Sequence, residues 1–169
     1  MADKRLYELA VEVGAALKAR SLVLATAESC TGGWIGEAVT AVPGSSEWYE
    51  RGFITYTNVA KQEMLGVAAK TLDKFGAVSE ETVKEMVAGA LVHSRASVAV
   101  AVSGVAGPSG GSPAKPVGTV CIGWGVVGGS PLVETLHFAG DREAVRRQSV
   151  ERVLAGILAL IEQEIVPKS

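Results

Sequence analysis

The 169-residue sequence predicts an α/β fold, a mixed, mostly parallel five-stranded sheet with helices on both faces. Three observations predict it. Strand-length apolar runs alternate with segments of helical periodicity through the first half, the pattern of crossovers between parallel strands. Residues 98–102 are all valine or alanine, which suits a central strand covered on both faces. Residues 117–127 and 132–138 are strand-like and meet at Gly128-Gly129-Ser130-Pro131, a hairpin signal that requires an antiparallel pair.

Each element has its own justification. Over residues 4–20, Leu6, Leu9, Ala10, Val13, Ala16 and Leu17 fall on one helical face. Residues 22–27 form a short apolar strand that stops at Glu28-Ser29-Cys30-Thr31-Gly32-Gly33, after which a helical stretch continues to about Ala41. Pro43-Gly44-Ser45-Ser46 is a turn cluster. Residues 51–57 are rich in β-branched and aromatic side chains and are expected as a strand. Asn58 is expected to cap a helix that ends near Gly66. Ser79, with Glu80 and Glu81 behind it, opens a helix that buries Val83, Met86, Val87, Ala90 and Leu91. A Gly/Pro/Ser-rich loop occupies residues 104–116. The last helix starts near Asp141 and buries Val150, Val153, Leu154, Ile157, Leu158 and Ile161. No repeat or linker interrupts the pattern, so residues 1–169 are expected as one domain.

Composition narrows the function classes. Lys+Arg 16 against Asp+Glu 18 gives a net charge of −2, with no basic excess for a nucleic-acid partner. The apolar stretch 153–161 is about half a bilayer span, and the N-terminus lacks the apolar core of a signal peptide. A cytoplasmic protein is therefore expected. Two cysteines and two histidines are too few for a disulfide framework or a structural zinc site, and neither a metal nor a cofactor is expected. Glycine is the outlier: 20 residues, against the average usage of about 7%.

The turn after the first strand carries the strongest chemical signal. It places Ser29 at a strand's carboxyl end and a helix N-terminus, the rim where open α/β sheets bind ligands. Free N–H groups there attract a carboxylate, a phosphate or a developing oxyanion, and Gly32 and Gly33 let a ligand approach the backbone. Serine and threonine also serve as plain N-caps. Cys30 is a rival nucleophile, since a thiolate gains from the same helix end, but a free cysteine is more often a small buried hydrophobe. A serine nucleophile needs a base. With Asn58 as the cap, Lys61 is the third helical residue, where the dipole disfavours a cation and lowers its pKa. Tyr56 and Asn58, at the same strand end, are placed to bond a substrate or to orient that base.

Two further segments suit an anion. The loop Ser103-Gly104-Val105-Ala106-Gly107-Pro108-Ser109-Gly110-Gly111 offers backbone N–H groups, without the Gly-Lys-Ser/Thr ending of a P-loop or the helix of a Rossmann fingerprint. Arg142 and Arg146, one turn apart, are spaced to clamp a monophosphate. Glu143 and Arg147 are expected to pair along the helix.

These segments together resemble the CinA C-terminal domain family. The motifs are Thr26 to Gly33, Arg51 to Asn58 with Lys61, Gly76-Ala77-Val78-Ser79, Ser103 to Pro108, Lys115 to Val120 and Gly140-Asp141-Arg142, in one order over about residues 5–162. The resemblance implies a three-layer α/β/α sandwich. It implies a serine/lysine amidohydrolase that converts nicotinamide mononucleotide to nicotinate mononucleotide and ammonia. Ser29 would be the nucleophile and Lys61 the base, with Tyr56 beside them. Cys30, Thr31, Gly32, Gly33, Asn58, Ser103, Gly104, Gly107 and Arg142 would contact the substrate. The expected partners are a pyridine mononucleotide and further copies of the chain, a homo-oligomer. Longer family members carry an additional N-terminal domain, for which 169 residues leave no room. Some members are linked to competence or DNA damage. Two other readings stand beside this one: a thiol-dependent hydrolase using Cys30, and a non-catalytic nucleotide-binding or adaptor module.

Overall fold

A computed structural model describes residues 3–165. Along β3 (Val98–Gly104) the side chains alternate in size, Val98, Val100 and Val102 facing one layer and Ala99 and Ala101 the other. On the valine face lie α1 (Lys4–Ala19), α2 (Trp34–Thr40) and α6 (Arg142–Leu160), packed through Leu9, Val13, Ile35, Val39, Leu154 and Ile157. On the alanine face lie α3 (Asn58–Leu65), α4 (Ala69–Phe75) and α5 (Glu80–Val92), packed through Leu65, Leu72, Val83, Met86 and Val87. Small residues let α5 sit low on the sheet. A Cβ on Gly123 would stand 3.0 Å from Val87 Cγ2, and one on Gly89 would collide with the Leu65 carbonyl where α3 meets α5. Two buried cores thus sandwich the sheet, as the three-layer expectation requires.

The other strands are β1 (Leu24–Glu28), β2 (Tyr49–Ile54), β4 (Thr119–Val126) and β5 (Leu132–His137), in the spatial order β2-β1-β3-β4-β5. β1 pairs in parallel with β2 and β3, while β4 pairs antiparallel with β3 and β5. Four strands therefore point one way, and β4 alone is reversed. The expected hairpin is present, and the β3–β4 pair is antiparallel as well. Glu28, Ile54, Gly104, His137 and the start of β4 consequently share one rim. No helix among the described residues is long and apolar enough to cross a membrane.

Some local expectations are corrected. Thr57, not Asn58, caps α3: its hydroxyl accepts from the Ala60 N–H at 3.1 Å, which makes Asn58 the first helical residue and Lys61 the fourth. The strand expected over 51–57 runs from Tyr49 to Ile54, because the chain leaves the sheet at Thr55 to reach that cap. α4 was not expected. Its N-cap, Ala68, offers no side-chain acceptor. Arg147 bonds Asp3 and Glu151 rather than Glu143. Asp141 and Ser79 do cap α6 and α5, accepting from Ala144 and Thr82.

Candidate active site

β1 ends on Glu28, which is 2% exposed. Its carboxylate accepts from the Thr31 hydroxyl (2.7 Å), the Ile35 N–H (2.8 Å) and the Gly36 N–H (3.1 Å). α2 has no side-chain cap at its own N-cap residue, Gly33, so Glu28 satisfies its first-turn donors from upstream and places negative charge at the positive end of the dipole. Gly32 and Gly33 turn the chain at φ +58° and +108°, backbone that disfavours a Cβ. Arg146 reaches the same turn from α6. Its Nε donates to the Cys30 carbonyl at 3.0 Å and its Nη2 to the Thr31 carbonyl at 3.1 Å, with the guanidinium carbon 5.5 Å from the Trp34 ring centroid.

Held in this turn, Ser29 meets Lys61. The Ser29 N–H donates to the Val102 carbonyl at 3.0 Å, and its hydroxyl lies 2.9 Å from Lys61 Nζ. Nζ also donates to the Thr55 carbonyl (2.9 Å) and the Tyr56 carbonyl (3.4 Å). Lys61 is 1% exposed, and all three of its partners are uncharged oxygens. Burial without a counter-charge favours the neutral amine, so its pKa falls from 10.5 to about 8. At pH 7 about one lysine in ten is then already an unprotonated base. The neighbouring Cys30 thiol goes the other way: burial pushes it up to about 12, so it stays protonated near neutrality.

A cavity of about 240 Å³ opens on this pair. Ser29, Cys30, Tyr56, Asn58, Lys61, Ser103, Gly104 and Arg142 all line it, together with Thr57, Ala77, Val78 and Ala106. Thr31, Gly32, Gly33 and Gly107 lie outside the lining. Thr31 is fully buried with its hydroxyl on Glu28, and the two glycines shape the turn. The Gly107 carbonyl accepts from Arg142 Nη1 at 2.8 Å, while Arg142 Nη2 donates to the Tyr56 hydroxyl at 3.1 Å. Arg142 and Ala106 also border a second cavity of about 450 Å³, along Pro108, Val117 and Gly140 to Glu143. Arg146 does not share in this wall, so the two arginines expected to act together are separated, Arg142 on the cavities and Arg146 on the Cys30 and Thr31 carbonyls. Among the described residues, no group of three His, Cys, Asp or Glu is placed to hold a metal ion.

Sequence reading passed over Glu28 as a functional residue and misjudged Arg146. An acid directly before a Ser-x-Thr-Gly-Gly turn was the available signal for the first. The second had none, because its partners lie more than a hundred residues away.

Fold and site define a class: a three-layer α/β/α domain with a buried lysine on a serine hydroxyl at the sheet's carboxyl rim, in a cavity whose lining holds no histidine. A family model described as CinA C-terminal domain matches residues 6–161, and the chain belongs to that family. It is 56% identical over 149 residues to the nicotinamide-nucleotide amidohydrolase PncC of Enterobacter agglomerans, covering 88% of this chain and 91% of that one. It is 51% identical over 154 residues to the protein of the same name from Escherichia coli (strain K12), covering 91% and 93%. The crystal structure of the competence/damage inducible protein CihA from Agrobacterium tumefaciens matches with a TM-score of 0.92 at 43% identity, covering 95% of this chain and 98% of that one.

Proposed function

We propose that the protein hydrolyses the carboxamide of nicotinamide mononucleotide to nicotinate mononucleotide and ammonia, with Ser29 as nucleophile and Lys61 as general base. Near-full-length relatives that carry this activity in their names support the reaction class. The observation that carries the mechanism is the 2.9 Å contact between Ser29 Oγ and the buried Lys61 Nζ. Neutral Lys61 takes the hydroxyl proton as Oγ bonds the carboxamide carbon, and the carbonyl electron pair moves to oxygen. The Cys30 N–H, next after the nucleophile, is the donor we assign to that oxyanion. Protonated Lys61 then gives its proton to the amide nitrogen, the C–N bond breaks, and ammonia leaves a nicotinoyl ester on Ser29. Water, deprotonated by Lys61, cleaves the ester and restores the hydroxyl.

Other residues position the substrate. The carbonyl of Tyr56 helps aim Nζ, and its hydroxyl steadies Arg142. Arg142 borders both cavities and carries the charge suited to the phosphate. Ser103, Gly104 and Asn58 complete the wall of the cavity, to which we assign the pyridine ring. Ammonia release from nicotinamide mononucleotide by wild type, Ser29→Ala, Lys61→Ala and Cys30→Ala tests the reading. Loss in the first two variants alone is expected. Full activity in Ser29→Ala, or loss in Cys30→Ala alone, refutes it.

A further inference from the structure

Arg146 stands outside the cavity lining, yet it holds the turn that carries the nucleophile. In a trans peptide unit the C=O and N–H point in opposite directions, so a bond that fixes one aims the other. Arg146 fixes two successive units, through the Cys30 and Thr31 carbonyls. Holding the Thr31 carbonyl turns the Gly32 N–H away from α6, and that N–H donates to the Ser29 carbonyl at 3.0 Å. The Ser29 carbonyl shares its peptide unit with the Cys30 N–H, which is thereby pointed the opposite way. The Cys30 N–H donates to no backbone or side-chain oxygen among the described residues. One planar guanidinium, backed by the Trp34 ring, thus sets three consecutive peptide planes.

We propose that Arg146 is a positioning residue that aims the Cys30 N–H at the carboxamide oxygen of the substrate, through the two carbonyls it holds. The inference rests on the serine mechanism above. It assigns Arg146 to the transition state rather than to substrate affinity, because the oxyanion forms only during attack. A guanidinium suits the task and an ammonium does not: two carbonyls at about 3 Å need two divergent donors on a rigid plane.

The test is steady-state ammonia release from nicotinamide mononucleotide by wild type, Arg146→Met, Arg146→Lys and Ser29→Ala, with urea unfolding of each. Methionine keeps an apolar stem against Trp34 and removes both donors. For Arg146→Met the expected result is a kcat lowered about 10- to 100-fold, with KM held within about twofold. The rise of rate near pH 8 stays in place, because Lys61 is untouched. Arg146→Lys recovers part of kcat by holding one carbonyl. A raised KM with unchanged kcat would move Arg146 to the substrate's phosphate and overturn the proposal. Unchanged kinetics would overturn it too, as would a loss of kcat accounted for by the unfolded fraction. Full activity in Ser29→Ala would instead remove the serine mechanism on which the proposal rests.

Discussion

Replacing Lys61 with methionine is expected to change the stability of the protein by an amount that depends on pH. Lys61 holds its proton with a pKa of about 8 in the fold and near the ordinary lysine value of 10.5 in the unfolded chain. Below pH 8 both states are protonated, and the fold bears the full cost of a buried ammonium, about 3 kcal/mol. Between pH 8 and 10.5 the folded state has released the proton while the unfolded chain still binds it, so wild-type stability rises with pH. The residual penalty at pH 10 is about 1 kcal/mol, so wild type gains about 2 kcal/mol on Lys61→Met between pH 7 and pH 10. Methionine also leaves the Ser29 hydroxyl and the Thr55 carbonyl without their lysine partner, a pH-independent loss of about 1–3 kcal/mol for each. The slope of the difference, rather than its value at any one pH, is therefore diagnostic. Urea unfolding of both proteins across this range measures it. A difference that stays flat would show an ordinary solvated ammonium and remove the base from the mechanism. The same titration is expected in the rate, with kcat/KM rising through about pH 8 to a plateau.

Three other outcomes follow from the geometry. Cys30→Ala is expected to retain kcat within severalfold, and wild-type Cys30 to resist iodoacetamide at neutral pH, since burial keeps the thiol protonated; rapid alkylation, read by mass spectrometry, would contradict this. Glu28→Gln replaces an acceptor of three hydrogen bonds with a group that also donates, and is expected to lower unfolding stability by about 2–3 kcal/mol in urea titrations. Gly89→Ala drives a methyl group into the Leu65 carbonyl and is expected to cost about 1–3 kcal/mol, measured by thermal unfolding; a neutral result would mean that α3 and α5 separate freely.

Local signals made most of this molecule readable. Strand and helix order followed from periodicity, and Ser29, Lys61 and Arg142 stood out because a turn or a helix start placed them unusually. The direction of β4 did not follow, because the 105–118 connection is compatible with either pairing and packing across the sheet decides it. The α3 cap was misplaced by one residue because Thr57 and Asn58 are both good caps, and the exit from β2 selects between them. α4 lacks a capping side chain and spans only two turns, too short for a periodic stripe. Glu28 and Arg146 do their work across the turn rather than along the chain. The acid meets N–H groups seven and eight residues on, and the arginine meets carbonyls in another element.

The reversed strand also bears on how such a domain diversifies. Because β4 runs back along β3, the 105–118 segment leaves and re-enters the sheet on the rim that holds Ser29. Its two feet are stitched together, Val105 N–H to the Thr119 carbonyl at 2.9 Å and Gly118 N–H to the Val105 carbonyl at 2.8 Å. Residues inserted between those feet leave the ladder intact, and doubling the loop adds only about 0.6 kcal/mol of closure entropy. The near foot is not neutral ground, since Ala106 lines the Ser29 cavity and the Gly107 carbonyl holds Arg142, so added length beyond Pro108 reshapes the mouth of the cavity while β1 and α3 keep Ser29 and Lys61 in place.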